Sequence, residues 1–169
     1  IDCQIRYYAE INKIKYEDAL KLINDYREEY SLKNNGKKIS LGNTLTAFGI
    51  SIQESILWRN KLMFPENFLN PNENLKKEIQ KLKEKYKLVC VTNNPKEVAF
   101  KTLKAIGLEK LIPDIIALDS FLESKPSPKM LNHALKITNS TPEECISIGD
   151  RFDIDLALPL EMKMGAVLV

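Results

Sequence analysis

Three short polar clusters carry the residue types from which a phosphate-and-metal site is built. Thr92 and Asn93 follow the apolar run Leu88-Val89-Cys90-Val91, and Lys125 stands in Ser124-Lys125-Pro126-Ser127-Pro128. Asp150, Asp153 and Asp155 crowd together after the run Cys145-Ile146-Ser147-Ile148. A threonine hydroxyl and nearby backbone N–H groups bond phosphoryl oxygens, and a helix N-terminus just beyond adds a favourable field. A lysine screens negative charge, and a carboxylate holds a hard cation such as Mg2+. Each cluster also has a plainer reading. Thr92-Asn93-Asn94-Pro95 reads equally as a helix cap, the Lys125 segment as a stiff loop with a solvated amine, and Asp153 as an N-cap. The carboxylates are harder to dismiss, because three in so short a stretch repel one another and call for a cation or a basic neighbour.

The elements that would position these groups divide the chain near Leu75. Before it the apolar spacing is helical. Ile5, Tyr8, Ile11 and Ile14 share one face, as do Ala19, Leu22, Ile23, Tyr26 and Tyr30. A shorter helix is expected over 44–48, and Ser51 is placed to cap another running to about 62. Trp58 and the tyrosines of this half sit at core spacing; Arg6, Tyr7, Trp58 and Arg59 are candidates to face a substrate. The stretch Asn70-Pro71-Asn72 reads as a linker. After Leu75 helices alternate with strands over 88–91, 115–118, 145–148 and 166–169. Strands apolar throughout and separated by helices predict a parallel, doubly wound α/β sheet covered on both faces. In such a sheet ligands bind at the carboxyl ends of the strands, where all three polar clusters fall.

Bulk properties narrow the classes. With 25 basic and 23 acidic residues the formal net charge is +2, which offers no electrostatic case for nucleic acid or an anionic membrane. No apolar run approaches the roughly 20 residues of a membrane span. Cys3, Cys90 and Cys145 are an odd, widely spaced set, two of them inside apolar runs, which argues against a disulfide framework and for a reducing, cytoplasmic setting. His133 has no partner at metal-ligand spacing and reads as a surface or packing residue.

In their order, Val91-Thr92-Asn93-Asn94, then Lys125-Pro126, then Ile148-Gly149-Asp150-Arg151-Phe152-Asp153-Ile154-Asp155 resemble motifs II, III and IV of the haloacid dehalogenase (HAD) superfamily. The resemblance covers 75–169 well, including Met162-Lys163-Met164-Gly165 before the last strand. The helical half, 1–74, is similar in kind to the cap subdomain of pyrimidine-nucleotidase-like and phosphoglycolate-phosphatase-like members. What this implies is a Rossmann-like, HAD-type core with a helical cap, and Mg2+-dependent hydrolysis of a small phosphorylated substrate through an aspartyl-phosphate. Thr92 and the backbone at Asn93 would bind the transferring phosphoryl group, and Lys125 would steady the nucleophile and the developing charge. Asp150 would ligate Mg2+, with Asp155 supporting the metal's surroundings and Asp153 in a position that is acidic in some members.

One motif is missing. Motif I, Asp-x-Asp-x-Thr on the first strand, supplies the family's nucleophile and general acid. Asp2 is followed two residues later by Gln4, which cannot act as an acid, and no strand precedes it. The family's motif I strand lies mid-sheet, between those ending at Thr92 and Asp150. Without it two half-sheets with unpaired backbone groups are expected. The expectation is therefore that 1–169 belong to a longer protein and are by themselves inactive and poorly folding. A non-catalytic relative that binds a phosphorylated ligand or a protein is the alternative. A receiver domain also uses Thr, Lys-Pro and acidic residues, but needs its acidic cluster first and Lys-Pro last.

Overall fold

The computed structural model describes residues 2–169, apart from the side chain of Asp2. It falls into two compact units, Ile1–Met63 and Phe64–Val169. The division precedes the expected boundary at 74/75. The reason is that the 3-10 turn Pro65–Asn67 packs on a helix of the second unit, where Lys101 lies over the Phe64 ring at 5.8 Å.

The first unit holds helices α1 (Asp2–Asn12), α2 (Tyr16–Lys33), α3 (Leu41–Ala47) and α4 (Ile52–Leu62). Ile5, Tyr8, Ala9, Ala19, Ile23, Leu41, Leu45 and Trp58 form its core, with the Tyr7 ring edge-on to Trp58 at 5.0 Å. Ile11, Ile14 and Leu22, expected on buried faces, are exposed. The first helix ends at Asn12 and the chain turns at Lys13, whose φ is 54°, so Ile14 lies beyond the helix. Of the residues considered as facing a substrate, Trp58 and Arg59 are buried.

Local signals explain where these helices start. α3 begins three residues earlier than expected because the Ser40 side chain accepts the Asn43 N–H. At α4 the Ser51 hydroxyl accepts the Glu54 N–H at 3.1 Å, and Glu54 Oε2 accepts the Ser51 N–H at 3.0 Å. Ser51→Ala removes half of this reciprocal cap and is expected to cost about 1 kcal/mol, read as a lowered urea midpoint with unchanged slope.

The second unit carries α5 (Glu73–Lys83), β1 (Val89–Val91), α6 (Lys96–Ala105), β2 (Asp114–Ile116), α7 (Leu118–Phe121), α8 (Pro128–Thr138), β3 (Ile146–Gly149), α9 (Ala157–Glu161) and β4 (Gly165–Leu168). The strands form two parallel pairs rather than one sheet. β1 pairs with β2 with Cys90 opposite Ile115, and β3 pairs with β4 with Ile148 opposite Val167. Among the described residues no ladder joins β1 to β3.

The two pairs differ in cover. In β2, Ile115 packs with Ala99 and Leu103 of α6, while its neighbour Ile116, 1% exposed, points to the other face. That strand is covered on both sides. In β3, Ile146 and Ile148 are 65% and 63% exposed, so one face of the second pair is bare. The expected cover on both faces therefore holds for the first pair only. The expected helix over 154–164 is a π-helical turn, Phe152–Leu156, followed by the short α9, with Pro159 interrupting the helical hydrogen-bond ladder.

Candidate active site

The site grows from the chain ends of β1 and β3. The ladder of the first pair runs one residue past β1, with the Thr92 N–H donating to Ile116 O at 2.9 Å. The Thr92 hydroxyl oxygen then accepts the Asn94 N–H at 3.1 Å, which leaves its own proton free to donate. The following loop is stitched to the one after β2: Leu118 N–H donates to Asn94 O at 3.1 Å, and Lys96 N–H to Asp119 Oδ1 at 3.0 Å. One first-turn N–H of α6, a group that could have faced a phosphate, is thus taken by the Asp119 carboxylate. Asp119 escaped the sequence reading; an acid just past a strand end is its only signal.

Lys125 is the centre. Its Nζ donates to Val91 O at 2.9 Å and to Asp155 Oδ1 at 2.7 Å, joining the end of β1 to the turn after β3. Its side chain is 21% exposed and that of Asp155 9%. Asp155 Oδ2 accepts the Arg151 N–H at 3.2 Å, and the Ser147 hydroxyl donates to Asp155 O at 2.8 Å. Gly149 makes room for this carboxylate, since a Cβ there would stand 2.3 Å from the Asp155 Cβ. The basic neighbour that the acidic cluster calls for is therefore Lys125.

Asn93 does more than sequence reasoning assigned it. Its Oδ1 accepts the Lys125 N–H at 2.5 Å and its Nδ2 donates to Lys125 O at 3.5 Å. Cys90, within β1, feels the same lysine: burial pushes its thiol up, and Lys125 pulls it part of the way back.

Asn93, Lys125 and Asp155 are thus joined, with Thr92 adjacent to Asn93 in the chain, whereas Asp150 and Asp153 are exposed. Asp150 stands between Gly149 and Arg151, both of which lie against Asp155. Among the described residues no three His, Cys, Asp or Glu side chains gather into a group that would hold a metal. Asp150 is a hard-oxygen donor of the kind Mg2+ takes, and Mg2+ is commonly held by one or two carboxylates with water and substrate phosphate completing its shell. Asp155 is committed to Lys125. The donor chemistry fits, then, with Asp150 and Asp153 as the exposed carboxylates.

The family this chain belongs to is shown by the match of most of its length. Residues 9–167 match the model of the haloacid dehalogenase-like hydrolases, and the protein is a member of that family. It is 37% identical over 85 residues to the pyrophosphatase PpaX of Listeria welshimeri, a match spanning 50% of this chain and 39% of that one. It is 34% identical over 65 residues to a plasmid-borne phosphoglycolate phosphatase of Cupriavidus necator, spanning 38% of this chain and 28% of that one. These matches cover well under half the length of either relative. The fold is similar to the crystal structure of a HAD phosphatase from Thermococcus onnurineus, with TM-score 0.57 and 19% identity over 98% of this chain and 74% of that one. No helix among the described residues is long and apolar enough to cross a membrane.

Proposed function

We propose that this chain is the greater part of a phosphatase that hydrolyses a small phosphomonoester through an aspartyl-phosphate, with Mg2+ as cofactor. The observation that carries the reading is the Lys125 ammonium, held at 2.9 Å from the carbonyl oxygen of Val91, the residue before Thr92, and 2.7 Å from Asp155 Oδ1. A cation and a hydroxyl at adjacent strand ends suit a group that carries charge on several equatorial oxygens. The attacking carboxylate would come from a strand outside residues 1–169, seated between β1 and β3, which no ladder joins among the described residues. Attack by that carboxylate divides one difficult displacement into two in-line steps.

This chain's own residues bind and orient. Thr92 donates to a phosphoryl oxygen, and Lys125 lowers the charge near the nucleophile. Asp150 would hold Mg2+, with Asp155 keeping the lysine in place and Asp153 lending negative charge nearby. When bound, Mg2+ withdraws charge from the phosphoryl oxygens. The helical unit, 1–63 with the linker to 74, would act as a cap that admits substrate and excludes bulk water.

The test is turnover by the complete gene product on p-nitrophenyl phosphate, phosphoglycolate and pyrophosphate, with Mg2+ and with EDTA. Hydrolysis of at least one monoester that EDTA abolishes is expected, together with negligible turnover by residues 1–169 alone. Binding of phosphorylated compounds without turnover would favour the non-catalytic alternative. Vigorous hydrolysis by residues 1–169 would defeat the assignment of the nucleophile to another segment.

A further inference from the structure

We infer that Asn93 is a positioning residue that fixes where the Lys125 ammonium stands. The inference rests on the phosphatase reading and adds to it a role for a side chain that touches no substrate atom. A lysine has four rotatable bonds, so its Nζ occupies one place only if its backbone does. Two devices hold that backbone. Upstream, the Asn93 carboxamide bonds both backbone polar groups of Lys125, Oδ1 accepting from its N–H at 2.5 Å and Nδ2 donating to its C=O at 3.5 Å. Downstream, Ser127, 1% exposed, caps α8 by accepting the Met130 N–H at 3.3 Å.

A carboxamide suits this task because it carries a donor and an acceptor side by side, which a hydroxyl, a carboxylate or an alkyl group does not. The grip also spans 32 residues of sequence, from the loop that bears Thr92 to the loop that bears Lys125. Because Asn93 is the residue next to Thr92, the hydroxyl and the ammonium are set relative to each other by one side chain. A lysine displaced by about 1 Å loses its alignment with both Asp155 and the developing charge, and misplacements of that size cost on the order of 100-fold in rate.

The experiment is a double-mutant cycle in the complete gene product, with p-nitrophenyl phosphate and Mg2+. Asn93→Ala is expected to lower kcat about 10- to 100-fold with KM within about threefold of wild type. In a Lys125→Ala background, which keeps the gripped peptide but removes the ammonium, Asn93→Ala is expected to add less than about threefold. A part that merely holds the fold together would multiply through in both backgrounds. Asn93→Asp, near-isosteric and still able to accept the Lys125 N–H, is expected to retain kcat within about tenfold of wild type. Should Asn93→Ala not fold, Asn93→Asp carries the same cycle: its loss must vanish in the Lys125→Ala background. An unchanged kcat in Asn93→Ala, or full multiplication of either variant's loss in that background, overturns the inference. No turnover by wild type, or an unaffected Lys125→Ala, defeats the phosphatase reading and this inference with it. An affected Lys125→Ala beside an unaffected Asn93→Ala defeats the inference alone.

Discussion

Lys125→Ala is expected to lower kcat of the complete protein by about 100- to 1,000-fold, the scale of removing one preorganised charge-stabilising donor. Two consequences follow from the same contacts. Val91 O and Asp155 Oδ1 lose their shared donor, which stands 2.9 and 2.7 Å away. Asp155, with its side chain 9% exposed, keeps the Arg151 N–H but no cation. A carboxylate this well buried and newly unpaired destabilises strongly, by about 3–5 kcal/mol where such pairs have been broken on one side. The kinetic and stability effects separate in Lys125→Ala/Asp155→Asn. Neutralising the orphaned carboxylate should restore most of the denaturation midpoint while leaving kcat low. A double variant that recovers both would mean the lysine acts only on stability.

Gly149→Ala is the second large effect. The added methyl would meet Asp155 Cβ at 2.3 Å, Cγ at 2.7 Å and Oδ2 at 2.8 Å, distances at which something must move. Asp155 has little freedom to give way, because its carboxylate is held by Lys125 and by the Arg151 N–H, and its carbonyl by Ser147. The strand end would shift instead. Overpacking usually costs about 1–3 kcal/mol, and a site pinned from three directions belongs at or above the top of that range. Since Gly149 also precedes Asp150, the shift should weaken Mg2+ activation as well as lower Tm. Gly165→Ala is the comparison, because there the nearest atom is the side-chain Cγ1 of Ile146 at 3.1 Å. Ile146 is 65% exposed and can rotate away. A Gly149→Ala protein as stable as Gly165→Ala would contradict this account.

The site was partly legible before any coordinates. Thr92, Lys125 and Asp155 follow apolar runs in the sequence, and the structure joins Lys125 directly to Asp155 and to Val91, the residue before Thr92. What spacing could not convey is pairing across the chain. The three acidic residues look alike in sequence, yet Asp155 turns inward to Lys125, 30 residues away, while Asp150 and Asp153 stay at the surface. The same limit hid the Asn93 grip and the Asp119 contact at the start of α6, since each closes between loops whose distance in sequence says nothing of their distance in space.

The sequence by itself determined the alternation of elements, the helix starts at Ser51 and Pro128, and the polar clusters that follow the strands. These follow from local rules: apolar period, capping groups, and the conformational limits of proline. Only the tertiary structure decided that the four strands close as two pairs, that one face of β3 stays bare, and that Lys125 spans between the pairs. Strand pairing and ion pairing depend on which distant segments meet, and that choice is made by packing over the whole unit rather than by any stretch of neighbouring residues.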